Sequence, residues 1–123
     1  MGSPGHLRVI VCGSREWTNK RAIYEAIKEV APDGKARNLT VVHGGCPRGA
    51  DRLVHELLRG DCEVHPADWD AHGRAAGHIR NRKMAQLGAD ICLAFWDGKS
   101  RGTKNMIEEA EKAGIPVKIV WES

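Results

Sequence analysis

No stretch of the 123-residue sequence approaches the ~20 consecutive apolar residues that a membrane-spanning helix requires. The segment Met1 to His6 (MGSPGH) lacks the apolar core expected of a signal peptide. It reads as a disordered tip or a cloning remnant, with the folded domain expected over residues 7–123. The four cysteines, Cys12, Cys46, Cys62 and Cys92, form no CxxC pair. Zinc fingers and ribbons need ligands paired at short spacing, so no structural metal is expected. A chain of this length with an ordinary core needs no disulfide scaffold either, and the thiols read as reduced and cytoplasmic. Charge of one sign is also lacking: 19 Lys+Arg against 16 Asp+Glu leave only +3. That balance is too small to demand a nucleic-acid partner and too small to exclude one. There is no internal repeat, linker or low-complexity segment, and 13.5 kDa leaves no room for a second core.

What is present alternates regularly. Leu7 to Cys12 is a β-branched run ending at Gly13-Ser14, which suits a buried strand. Thr18 or Asn19 can cap a helix through about Val30, whose Ala22, Ile23, Ala26, Ile27 and Val30 keep helical spacing until Pro32-Asp33-Gly34 breaks it. Leu39 to Val42 is a second strand. Ala50, Leu53, Val54, Leu57 and Leu58 stripe a second helix, ended by Gly60. Cys62 to His65 is a weak strand, and Pro66 to Gly77 reads as a polar loop. A helix is expected from about Ile79 to Leu87, and Ile91 to Phe95 is the most apolar strand. Met106, Ile107, Ala110 and Ala113 mark the last helix before Gly114 and Pro116, and Val117 to Trp121 is a fifth strand.

Near-continuous apolar strands alternating with helices imply a parallel sheet covered on both faces. Right-handed crossovers then give an α/β, Rossmann-like three-layer sandwich with five mainly parallel strands. In such sheets ligands bind beyond the carboxyl ends of the strands. Three strand exits there join glycine to arginine: Gly13-Ser14-Arg15-Glu16-Trp17, Gly44 to Asp51 with Gly45, Arg48 and Gly49, and Trp96 to Thr103 with Asp97, Ser100, Arg101 and Gly102. Glycine lets backbone N–H groups approach an anion, the first helical turn offers unpaired donors, and arginine adds a bidentate fork. One such loop is ordinary turn geometry; three on one sheet edge point to a phosphorylated ligand. Neither GxxxxGK[ST] nor GxGxxG is present, which excludes the common NTPase and dehydrogenase motifs.

Single residues carry two readings each. Asp51, in the first turn of a helix, suits the dipole or the holding of the preceding loop more than direct ligand contact. Arg80 falls in the apolar stripe of its helix, so it needs a partner and reads as a ligand contact or a loop anchor. Cys46 near a helix start suits a lowered pKa, but more simply a bystander thiol. His65, His72 and His78 lack chelate spacing and read as loop histidines. Trp17, Trp69 and Trp96 follow or face the glycine loops and are candidates to stack on a base. Glu16, Asp51 and Asp97 are the carboxylates available as general bases near the loops.

These motifs together resemble the SLOG superfamily. The resemblance rests on Val9 to Arg15, Val42 to Gly45 with Gly49 to Asp51, His65 to Trp69, Ile79 to Arg82 with Ala89-Asp90, and Ser100 to Thr103. The nearest branch is the YspA-like, YpsA-related group of small stand-alone domains. The resemblance implies a Rossmann-like fold that binds a nucleotide or a nucleotide-derived ligand such as ADP-ribose or NAD. The superfamily includes sensors of this kind, cytokinin-activating phosphoribohydrolases, and DprA, which handles single-stranded DNA. Its ligand loops fall on Gly13, Ser14, Arg15, Gly44, Gly45, Gly49, Asp51, Gly102 and Thr103. The phosphoribohydrolases carry a glutamate where this sequence has Met106, which speaks against that chemistry.

The resulting expectation is a binding module with Gly13, Ser14, Arg15, Trp17, Gly44, Gly45, Arg48, Gly49, Asp51, Arg80, Asn81, Asp97, Ser100, Gly102 and Thr103 at the ligand. No cofactor beyond that ligand is called for. A nucleotide-processing hydrolase and a DprA-like binder of single-stranded DNA are the rivals, and a homodimer is an analogy drawn from relatives of this fold.

Overall fold

The computed structural model describes residues 6–31, 34–35 and 38–122. The Met1 to His6 segment, the Pro32-Asp33 break and Ser123 lie outside them, apart from His6. Five parallel strands, β1 (Leu7–Gly13), β2 (Leu39–His43), β3 (Glu63–Val64), β4 (Ile91–Trp96) and β5 (Val117–Trp121), form one sheet in the order β3-β2-β1-β4-β5. β1 pairs with β2 from Leu7↔Leu39 to Ile10↔Val42, and with β4 from Val9↔Ile91 to Gly13↔Phe95. The chain therefore winds outward one way from β1 to β3 and the other way from β4 to β5. The switch point lies between β1 and β4, where a crevice opens at the carboxyl ends.

Alternation along β1 builds two cores. Val9 and Val11 face α1 (Lys20–Val30) and α2 (Ala50–Leu57), and share that layer with Ile23, Ile27, Val54, Leu93 and Phe95. Ile10 and Cys12 face α4 (Ala76–Leu87) and α5 (Arg101–Lys112), with Val42, Met84, Cys92, Met106 and Ile107. All of these side chains are buried, and apolar burial on both faces is what a central parallel strand requires. All four cysteines are free thiols. Among the described residues no helix is long and apolar enough to cross a membrane.

The structure corrects three boundaries. Pro66 to Gly77 is not all loop: it contains α3 (Trp69–His72) and a 3-10 turn (Gly73–Ala75) running directly into α4. Asp68 caps α3 by accepting the Ala71 N–H at 3.0 Å, but four residues are too few to show a helical period. α4 consequently begins at Ala76, ahead of the expected Ile79. α5 begins at Arg101 rather than near Met106, because its first turn holds Gly102 and charge instead of apolar residues. Ser100 is its N-cap, accepting the Thr103 N–H at 3.4 Å.

The short edge strand β3 is held from a distance. Arg8 on β1 makes a two-pronged ion pair with Glu63, and its Nε donates to the Gly88 carbonyl at 2.9 Å. The guanidinium holds the Glu63 carboxyl down at about 2.

Candidate ligand-binding site

A cleft of about 370 Å³ occupies the switch-point crevice. Its floor is apolar: Cys12, Met84 and Met106, each buried. Its rim is polar, with Ser14, Arg15, Glu16, Gly44, Asp51, Arg80, Asn81, Asp97, Lys99, Ser100, Gly102 and Thr103. The contact with Cys92, 3.9 Å between sulfurs, and then burial push the Cys12 thiol well up, so it stays protonated in the floor.

The first loop is locked by close backbone approach. A Cβ on Gly13 would fall 2.6 Å from both the Ala50 Cβ and the Phe95 carbonyl. Gly49 has φ +78°, and a Cβ there would lie 2.5 Å from the Arg15 Cα. The Ala50 N–H donates to the Ser14 carbonyl at 3.2 Å, tying the first loop to the second. Ser14 is buried; its Oγ accepts the Glu16 N–H at 3.0 Å and donates to Asp97 Oδ2 at 3.3 Å. Asp97 Oδ1 accepts the N–H groups of Lys99 and Ser100, both at 2.8 Å, and these bonds lower its carboxyl pKa.

Two adjacent residues of α4 join the second and third loops. Arg80 Nη1 donates to the Gly44 carbonyl at 2.6 Å, and its Nε to Asn81 Oδ1 at 2.8 Å. Asn81 Nδ2 donates to Asn105 Oδ1 at 2.9 Å and to the Gly102 carbonyl at 3.3 Å. Arg80 thus acts as the loop anchor. Burial lowers its pKa, and the nearby Asp51 carboxylate opposes that shift. Asp51 accepts the Cys46 N–H at 3.2 Å. Burial raises its carboxyl pKa against that bond and Arg80.

These commitments separate scaffold from free groups. Arg15 and Lys99 are exposed on the rim, and neither guanidinium nor ammonium has a hydrogen-bond or ion-pair partner among the described residues. Glu16 is drawn outward by Arg48 at 2.9 Å. Rim charges balance formally, but the Asp51 and Asp97 carboxylates already accept backbone N–H groups. The helix ends differ as well. α2 carries Asp51 in its first turn, whereas α5 has no acidic residue there. Gly102 in that turn has nothing within 4 Å of where a Cβ would project. The end of α5 is not without a carboxylate, since Asp97 accepts the N–H of its N-cap Ser100, and what distinguishes its first turn is the clear space beside Gly102.

Several expected contacts lie elsewhere. Trp17 is buried in the α1/α2 core, edge-on to Phe95 at 5.6 Å, with its Nε1 donating to the Asn19 carbonyl. It offers no face to the cleft, because a ring this large beside a strand exit gains more from the core than from the rim. Trp96 stacks on Trp121 at 5.4 Å and donates to the Ser100 carbonyl, and Trp69 is exposed on α3; neither lines the cleft. Gly45, Arg48 and Gly49 also stand behind the lining, shaping or bracing the second loop. The sequence reading missed the methionine floor and Lys99. Met84 and Met106 keep helical spacing and read as ordinary core, and Lys99 is one charge among several between β4 and α5 with no pattern to mark it.

His43, His55 and Cys62 also converge, their ligating atoms lying within 4.8 Å of one another. The Gly45 N–H donates to His43 Nδ1 at 3.0 Å, so the proton on neutral His43 sits on Nε2 and faces His55 Nδ1 at 3.0 Å. Neither His43 nitrogen then keeps a free lone pair for a metal. Burial, with His55 and Arg80 adding to it, pushes the His43 pKa down to about 4.

A doubly wound parallel sheet with its cleft at the switch point places the chain among the Rossmann-like α/β domains. Residues 7–72 match the YspA, cpYpsA-related SLOG family, and the chain belongs to that family. It is 42% identical over 121 residues to the Gene 61 protein of Mycobacterium phage D29, covering 89% of this chain and 93% of that protein. Among solved structures it is similar to the C-terminal domain of the PF1911 hydrogenase from Pyrococcus furiosus. That likeness has a TM-score of 0.51 at 18% identity and covers 98% of each chain, so it concerns the fold alone.

Proposed function

We propose that this chain is a binding module for a nucleotide-derived, phosphate-bearing ligand, of the ADP-ribose or NAD kind, held in the switch-point cleft. One observation carries the reading. Arg15 and Lys99 stand on the cleft rim with no hydrogen-bond or ion-pair partner among the described residues, while Ser14, Asp51, Arg80, Asn81 and Asp97 hold the loops around them. The loops are held in place before a ligand arrives, and the two free cations supply the charge to attract an anion. Family membership is compatible with the same reading.

The hydrolase reading has weaker support. Asp51 and Asp97 accept backbone N–H groups, Glu16 pairs with Arg48, and Met106 is buried beneath the cleft in place of a carboxylate. The test is mass spectrometry of small molecules released by denaturing the purified protein, followed by a thermal-shift panel of nucleotides, ADP-ribose and NAD. A released nucleotide, or a shift confined to one ligand class, supports the module. An empty protein with no shift across the panel contradicts it.

A further inference from the structure

The switch-point cleft supplies anion chemistry but no place for a base. Among the described residues lining it there is no aromatic ring. Trp17 is in the core and Trp96 is stacked on Trp121. A nucleotide seated there gains contacts for its phosphates and an apolar floor, and no planar surface for its heterocycle.

A second cavity of about 460 Å³ adjoins it, and Arg80 lines both. It lies past the carboxyl end of β3, between the residues after Val64 and the start of α4. Its walls are of a different kind. Val64, Pro66 and Ile79 give apolar surface, and Val64 and Ile79 are exposed at 37% and 44%. His65 and His72 bring the planar rings that the first cleft lacks. The His65 ring is fixed by a 2.7 Å hydrogen bond between its Nε2 and Glu63 Oε2, and Arg8 holds that carboxylate in turn. The partition is the Arg80 guanidinium, pinned to the Gly44 carbonyl at 2.6 Å and reaching the His65 carbonyl at 3.4 Å. A guanidinium plane fixed in this way presents a flat cationic face to a ring or a ribose passing over it.

We infer that the two cavities are one site, with phosphate at Arg15, Lys99 and the α5 turn, and the heterocyclic base across Arg80 in the pocket of His65, His72, Val64 and Ile79. The inference rests on the proposed nucleotide reading and adds where the base lies. It makes His72 and Ile79 determinants of affinity for the base, although they are remote from the phosphate loops in sequence. The class of ligand follows: a phosphorylated compound carrying a planar heterocycle, in preference to a sugar phosphate or an inorganic anion.

Calorimetric titrations with ADP and with pyrophosphate test this. The wild-type chain should bind ADP at least tenfold more tightly than pyrophosphate. In His72→Ala and Ile79→Ser that ratio should fall toward one. Both substitutions are at exposed positions, and circular dichroism would verify that the fold is kept. Arg15→Ala should weaken both ligands together. An ADP-to-pyrophosphate ratio unchanged in both pocket variants, with Arg15→Ala still weakening both ligands, would overturn the base pocket and leave the phosphate site standing. Failure of the wild-type chain to bind either compound would overturn both.

Discussion

The Arg80 guanidinium lies against the Cα of Gly44, where a Cβ would overlap Nη1 and come within 2.5 Å of Cζ. Gly44 is glycine because Arg80 occupies its side-chain space while donating to its carbonyl. The two residues are 36 positions apart, and together they fasten the second loop to α4.

That relationship predicts non-additive energetics. Gly44→Ala should displace the guanidinium, and Arg80→Ala should remove it. Each should cost about 1–3 kcal/mol, the range for losing a part-buried, charge-assisted hydrogen bond. In the Arg80→Ala background the added methyl has room, so Gly44→Ala should be close to neutral. A double-mutant cycle by urea unfolding would measure the coupling. Additive costs would mean that the close approach does not govern stability.

Glycines at the cleft should separate into structural and ligand-facing kinds. Gly49→Ala combines φ +78° with backbone only 2.5 Å away, so it should destabilise by several kcal/mol or prevent folding. Gly102→Ala meets nothing within 4 Å and lies in a helix, so stability should hold or rise by up to about 1 kcal/mol. The same methyl stands where the anion would approach, so ligand affinity should fall at least tenfold. Thermal denaturation and calorimetry on the two variants check both outcomes.

Acid should destabilise the fold partly through His43. Its folded pKa of about 4 lies below the ordinary 6.5. The unfolded chain therefore takes up the proton first as pH falls. The stability from a neutral His43 is complete above about pH 6.5 and is lost progressively toward pH 4. Glu63, held at about 2 against an ordinary 4.5, adds a second loss from pH 4.5 downward. Proton NMR of the imidazole Cε1–H should give His43 a midpoint near 4. A midpoint near 6.5 would contradict the buried hydrogen-bonded pair.

The residues differ in how far the sequence discloses them. β1 and β4 are legible because Val9 to Cys12 and Ile91 to Phe95 are apolar on both faces, which only a central parallel strand needs. The location of the cleft followed, since topology puts strand exits at one edge. Roles within the cleft were less legible. Arg80 stands out in the sequence as a charge on an apolar stripe, but whether it meets a ligand or a carbonyl depends on Gly44, far away in the chain. A tryptophan after a glycine loop, such as Trp17, looks exposed in the sequence, and only the position of Phe95 shows that it turns inward. α3 was missed because its signal is one cap, Asp68, and one turn.

The most direct test of the phosphate site is calorimetric titration of ADP into the wild-type chain, Arg15→Ala, Lys99→Ala and the double variant. Each single substitution should weaken binding tenfold or more, about 1.4 kcal/mol, and the double variant further still, with unfolding midpoints unchanged because neither side chain holds the fold. Equal ADP affinity in the wild-type chain and the double variant would contradict the assignment of these two cations to the anion.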